Sequence, residues 1–121
     1  MTDNNSILHY MLVPLSQEAL EIDMRQKGDP STGNFKEWAL TEAEASSIIN
    51  SLLFSYCEEF DIYIDISEDR ILDKAYVPKA LEMAKEFEQH CKKEVQKSAV
   101  KKVIESLEFA KTTDMPVWFW F

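Results

Sequence analysis

The stretch Phe60-Asp61-Ile62-Tyr63-Ile64-Asp65-Ile66 places a large apolar residue at every second position, with Asp, Tyr and Asp between them. Alternation with a period of two is the pattern of a strand that has one buried and one solvated face. The reading is therefore a strand over 60–66 that gives one face to the core and displays charge on the other. Its flanks deepen that charge. From Glu58 to Asp73 the acids Glu58, Glu59, Asp61, Asp65, Glu68, Asp69 and Asp73 face the single base Arg70, a local balance of −6.

Upstream, Thr41-Glu42-Ala43-Glu44 is a capping-box signature: Thr41 can accept from the third helical amide while Glu44 reaches back. Ala45, Ile48, Ile49, Leu52, Leu53 and Tyr56 then recur at three- and four-residue spacing, so one helix is expected over 41–58. Before it, Ile7–Val13 and Ala19–Met24 read as two strands of an antiparallel hairpin, and the turn-forming residues of Arg25–Phe35 lead on to the helix. A phosphate-binding loop is not expected at Gly28-Asp29-Pro30-Ser31-Thr32-Gly33, because the following Lys-Ser/Thr is missing.

Downstream, Pro78 suits the first turn of a helix, and Ala80, Ala84, Phe87, Cys91 and Val95 form its apolar stripe. The stripe resumes at Ala99, Val103, Leu107 and Ala110. A single helix over 79–112 would measure about 50 Å at about 1.5 Å per residue, too long for a domain about 35 Å across. A break is expected near Gln96–Ser98; an unbroken helix would instead protrude and seat a second subunit. The terminal Val117-Trp118-Phe119-Trp120-Phe121 is apolar on both faces, so it is either a central strand covered on both sides or a contact surface. The sum is a single α+β domain over 1–121. About four strands in an antiparallel or mixed sheet are packed by two to three helices in the order β-β-α-β-α-α-β.

The net charge of −9 is concentrated. Residues 1–75 hold 5 bases and 15 acids, whereas 76–121 hold 8 and 7. Such a field repels nucleic acid and favours a basic protein partner. Every apolar run is interrupted well before the roughly 20 residues that span a bilayer, and Met1–Ser6 lacks the features of a signal peptide, so no membrane association is expected. Cys57 and Cys91 are too few for a disulfide framework, and His90 beside Cys91 lacks the remaining ligands of a zinc site. Asp61 and Asp65 lie on a solvated face with neither histidine near them in sequence. No Asp-rich calcium loop with a central Gly is present. The expectation is a protein with no enzymatic activity, no metal and no cofactor.

Several segments together carry a resemblance: Gly-Asp-Pro-Ser-Thr-Gly-Asn-Phe at 28–35, the capped helix, the acidic strand, Tyr-Val-Pro-Lys-Ala-Leu-Glu-Met-Ala-Lys at 76–85, and Met-Pro-Val-Trp-Phe-Trp-Phe at 115–121. Their overall pattern, across most of the chain, resembles the immunity proteins of bacterial polymorphic-toxin and contact-dependent growth inhibition systems. The resemblance implies a cytoplasmic inhibitor that binds and blocks one cognate toxin domain, often a nuclease. It transfers no binding residues position by position. The residues expected at the partner surface, Asp61, Tyr63, Asp65, Glu68 and Asp69, come from the charge pattern instead, with Tyr63 as an aromatic anchor. The alternative is a non-enzymatic accessory or structural interaction module, a homodimer that meets its copy through the Trp118 and Trp120 face or the long helix.

Overall fold

Leu8–Pro14 (β1), Phe35–Thr41 (β2), Asp69–Leu72 (β3) and Val117–Trp120 (β4) form one sheet in the order β2-β1-β4-β3. They do so in a computed structural model that describes residues 8–20, 35–62 and 69–120. Every pairing is antiparallel, with Tyr10 opposite Ala39, Leu12 opposite Trp118, and Ile71 opposite Trp118 on its other side. The helices are α1 (Gln17–Leu20), α2 (Glu42–Ile49), α3 (Leu52–Phe60), α4 (Val77–Gln89) and α5 (Glu94–Thr113), with a 3-10 turn at Lys74–Tyr76. The protein is α+β, as its sequence pattern implies.

The terminal strand β4 lies inside the sheet and has both faces covered. Val117 and Phe119 join the main core with Met11, Val13, Leu40, Leu72, Leu107 and the helix stripes. Trp118 faces the other way into a smaller cluster with Leu12, Ala19 and Phe35. At 5% exposure it is part of its own chain's interior. Of the two expectations for this strand, the central one holds.

Several expected boundaries move. Residues 60–62 are not extended as part of a strand: Phe60 ends α3, Asp61 takes a left-handed conformation, and the third strand among the described residues is Asp69–Leu72. The period-two pattern overlaps a helical one here, since Leu53, Tyr56 and Phe60 recur at three and four residues and bury one face. Residues 63–66 of the expected strand lie outside the described ones. Ala19 and Leu20 are helical rather than extended, and the Ala19 amide donates to the Ser16 hydroxyl at 3.1 Å. The partner of β1 is therefore Phe35–Thr41 and not Ala19–Met24, of which 21–24 lie outside the described residues. Because β3 runs antiparallel to its neighbour, the sheet is not mixed.

The helix expected over 41–58 is two helices with a break at Asn50–Ser51. Serines cause it. The Ser51 amide bonds Ile48 O rather than Ser47 O, and the released Ser47 carbonyl accepts from the Ser51 hydroxyl at 3.2 Å and from Gln96 Nε2 at 2.8 Å. Side chains that offer the backbone alternative partners weaken a helix interior in this way. The second break also exists but lies at His90–Lys93, earlier than Gln96–Ser98. The His90 amide turns back to Phe87 O, Lys93 is extended, and Cys91 buries itself in the corner while its thiol donates to Phe87 O. With the chain reversed there, α4 and α5 pack on each other instead of forming one long helix.

Candidate functional site

Helix α3 is anchored from beneath. Leu52, Leu53, Tyr56 and Phe60 are buried, and the Tyr56 hydroxyl donates to the Ala80 carbonyl of α4 at 2.7 Å. Burial pushes the Tyr56 hydroxyl well above its ordinary range, which keeps it a neutral donor. At the far end Phe60 stacks on Tyr76, with ring centroids 4.8 Å apart and an interplanar angle of 15°. The two helices thus run antiparallel, with the end of α3 beside the start of α4.

That end of α3 carries the acids. Glu58 and Glu59 occupy its last turn, which has no base, and Asp61 follows at φ 55 and ψ 46. The Asp61 amide returns to the Cys57 carbonyl, as does that of Ile62 at 3.2 Å, while the Ile62 side chain packs on the core. This is a Schellman closure, in which glycine is the usual left-handed residue. Placing an aspartate there costs backbone energy, and three carboxylates gather where the helix dipole is already negative. Among the described residues the ion pairs are Lys74–Asp114, Lys85–Glu108 and Lys102–Glu44, and His9 Nε2 lies 3.4 Å from Glu42 Oε1. None of them engages Glu58, Glu59 or Asp61.

Of the residues expected at the partner surface, Asp61 is exposed at the end of α3, and Asp69 opens β3 in register with Trp120. Tyr63, Asp65 and Glu68 lie outside the described residues. The sequence pattern ends the helix at Glu58 and leaves Glu59 to the approach of a strand, whereas both project from α3. Sequence reasoning also overlooked the groove between α3 and α4, about 280 Å³ in volume and lined by Leu52, Ser55, Met83, Glu86, Phe87 and His90. The four-residue spacing of Met83 and Phe87 was a usable signal; the stacking of Phe60 on Tyr76, 16 residues apart in sequence, was not.

Among the described residues the most enclosed carboxylate is that of Glu44. It closes the expected capping box, accepting from the Thr41 amide at 2.9 Å while the Thr41 hydroxyl accepts from the Glu44 amide at 3.1 Å. It also accepts from the Ser98 hydroxyl and from Lys102 Nζ at 3.0 Å, and Lys102 donates onward to the Ala39 carbonyl of β2. Burial is the largest single influence on this carboxyl and raises its pKa. The Ser98 hydroxyl, the Thr41 amide and the Lys102 ammonium together outweigh burial and hold it below its ordinary value of 4.5. Every one of these groups is occupied within the chain, which suits a structural role. Burial likewise pushes the Cys91 thiol up, with Glu88 adding to the rise and Lys97 opposing it. That keeps the sulfur in its poorly nucleophilic protonated form.

Among the described residues, no helix is long and apolar enough to cross a membrane. No protein-family model matches the chain, and neither a curated protein nor a solved structure matches it.

Proposed function

We propose that this protein is a non-catalytic, immunity-type inhibitor that binds a basic toxin domain, such as a nuclease, through the acidic end of α3 and the segment leading to Asp69. The observation that carries the reading is the group Glu58, Glu59 and Asp61 at the negative end of a helix, engaged by no ion pair among the described residues. Repulsion among these acids, the dipole and the left-handed aspartate all act against stability. Strain kept without a local partner suits a surface that finds its compensation in a complex. A groove built to attract phosphate would attract these carboxylates, which would speed encounter and compete with nucleic acid.

The reading expects a large reading frame with a toxin-like C-terminal domain immediately upstream, and the test is to co-express the protein with that domain, scoring protection of the host and association in vitro. A complex that forms more slowly as salt rises, and whose association slows about tenfold in a Glu58→Gln/Glu59→Gln/Asp61→Asn variant, is expected. Asp65→Lys with Glu68→Lys should act in the same direction. Association that ignores both salt and these charges would overturn the reading.

A further inference from the structure

The groove between α3 and α4 has an apolar floor and an acidic end. Leu52 is buried at its base, Met83 and Phe87 are half-buried along one wall, and Ser55 and Glu86 stand at the rim. Phe54, on the outward side of α3, is 53% exposed. Its volume of about 280 Å³ admits one or two large side chains. Methionine adapts its shape to whatever enters, which suits Met83 to a binding wall.

Helical spacing then connects floor to charge. Glu59 lies one turn beyond Ser55 on the same face of α3, and Asp61 lies six residues beyond it, about 9 Å along the axis at about 1.5 Å per residue. From Leu52 to Asp61 the charged residues are three acids and no base. Across the groove, α4 carries Lys79, Lys85, Glu82, Glu86 and Glu88, and Lys85 is engaged by Glu108 of α5 at 3.6 Å. Lys79 stands one turn before Met83 on the same wall and offsets one of the three acids, which leaves the field at the α3 end of the groove negative. An apolar trough with carboxylates one to two turns away matches an amphipathic helix that has cations one to two turns from its apolar anchors.

The geometry points to the α3–α4 groove as the docking site for a basic amphipathic helix of the partner. Its Leu- or Phe-sized anchors lie against Leu52, Met83 and Phe87, and its Lys or Arg residues lie over Glu58, Glu59 and Asp61. This inference rests on the proposed basic partner and adds what that partner must present: apolar residues at i and i+3 or i+4, with cations near i+7.

The experiment uses the full chain, labelled with ¹⁵N, and two synthetic peptides of identical Leu/Lys composition, one with amphipathic helical order and one scrambled. The ordered peptide should shift the amides of Leu52, Ser55, Met83, Phe87 and His90 together with those of Glu58 and Asp61. It should also bind about tenfold more tightly than the scrambled one, as expected when anchors enter a pocket. Ser55→Arg, at an exposed rim position that leaves the core intact, should remove most of that advantage; Met83→Lys should do the same if its spectrum shows a folded chain. If both peptides bind alike and shift only Glu58, Glu59 and Asp61, the groove is overturned while the acidic-surface reading stands. If neither peptide binds, both fall.

Discussion

Acids occupy opposite ends of two consecutive helices, and their circumstances are reversed. At the start of α2, Glu42 and Glu44 sit where the dipole favours negative charge, and Glu44 is held by Thr41, Ser98 and Lys102. At the end of α3, Glu58, Glu59 and Asp61 sit where the dipole opposes them, and no ion pair among the described residues engages them. The first group builds the fold. The second weakens it.

The largest difference should appear on removing each carboxylate. Glu44→Ala leaves the Lys102 ammonium and the Ser98 hydroxyl without their partner and opens the capping box, and a loss of about 3 kcal/mol is expected. Urea denaturation of the variant measures it. A loss under 1 kcal/mol would mean that water replaces the network without cost. The same carboxylate gives the contrast a pH dependence. Because its folded pKa lies below 4.5, the unfolded chain binds the proton more readily. Its contribution is complete above 4.5 and declines as pH falls through the folded value. Glu44→Gln should therefore flatten the dependence of the urea midpoint on pH below that range.

A smaller effect of opposite sign should separate two helix ends that close alike. The end of α5 repeats the Schellman geometry: Asp114 has φ 58, the Met115 amide returns to Ala110 O at 2.9 Å, and Met115 packs on the core. There, however, Lys111 sits in the last turn and Lys74 lies 3.3 Å from Asp114. Asp61→Gly removes both the left-handed strain and an opposed charge, and should raise stability by about 1 kcal/mol. Asp114→Gly gains the same backbone relief but loses its lysine, so about half that gain is expected. Equal gains in thermal or urea unfolding would show that charge is irrelevant at the α3 end.

Where one kind of spacing dominated, the sequence was easily read. The capping box at Thr41 and Glu44 was legible because it is local, and β4 was legible as a strand apolar on both faces, which left a central place and a contact surface as the two readings until packing decided between them. The α+β class followed from the succession of such segments. What misled was Phe60–Ile66, where a two-residue alternation begins on the last buried residue of a helical stripe. Phe60 satisfies both patterns, and packing on Tyr56 and Tyr76 decides between them. The break at Asn50–Ser51 depends on Gln96, 46 residues away in sequence, taking up a carbonyl that the serines release, and no local signal carries such a contact. Of the candidate site, the excess of acid was visible at once. The groove was not, because its walls come from two helices whose pairing is a tertiary fact.

The finest test of the contrast is a charge reversal on the surface of α3. Glu58 stands three residues before Asp61 in the last turn, so replacing it with lysine exchanges an anion opposed by the dipole for a cation favoured by it, and sets that cation beside Asp61. Nothing in the core is touched. Glu58→Lys should raise stability by about 0.5 kcal/mol at low ionic strength, and most of that gain should vanish near 1 M salt, where the screening length falls to about 3 Å. Glu42→Lys, made at the favourable end of α2, should lower stability by more than that, since it also removes the contact of Glu42 with His9 Nε2 at 3.4 Å, and should show the same direction of salt dependence. Measured together by urea unfolding at two salt concentrations, the pair compares one charge change at opposite helix poles. If Glu58→Lys destabilised the free protein, Glu58 would be serving the fold after all, and its reason for standing at that pole would lie inside the chain.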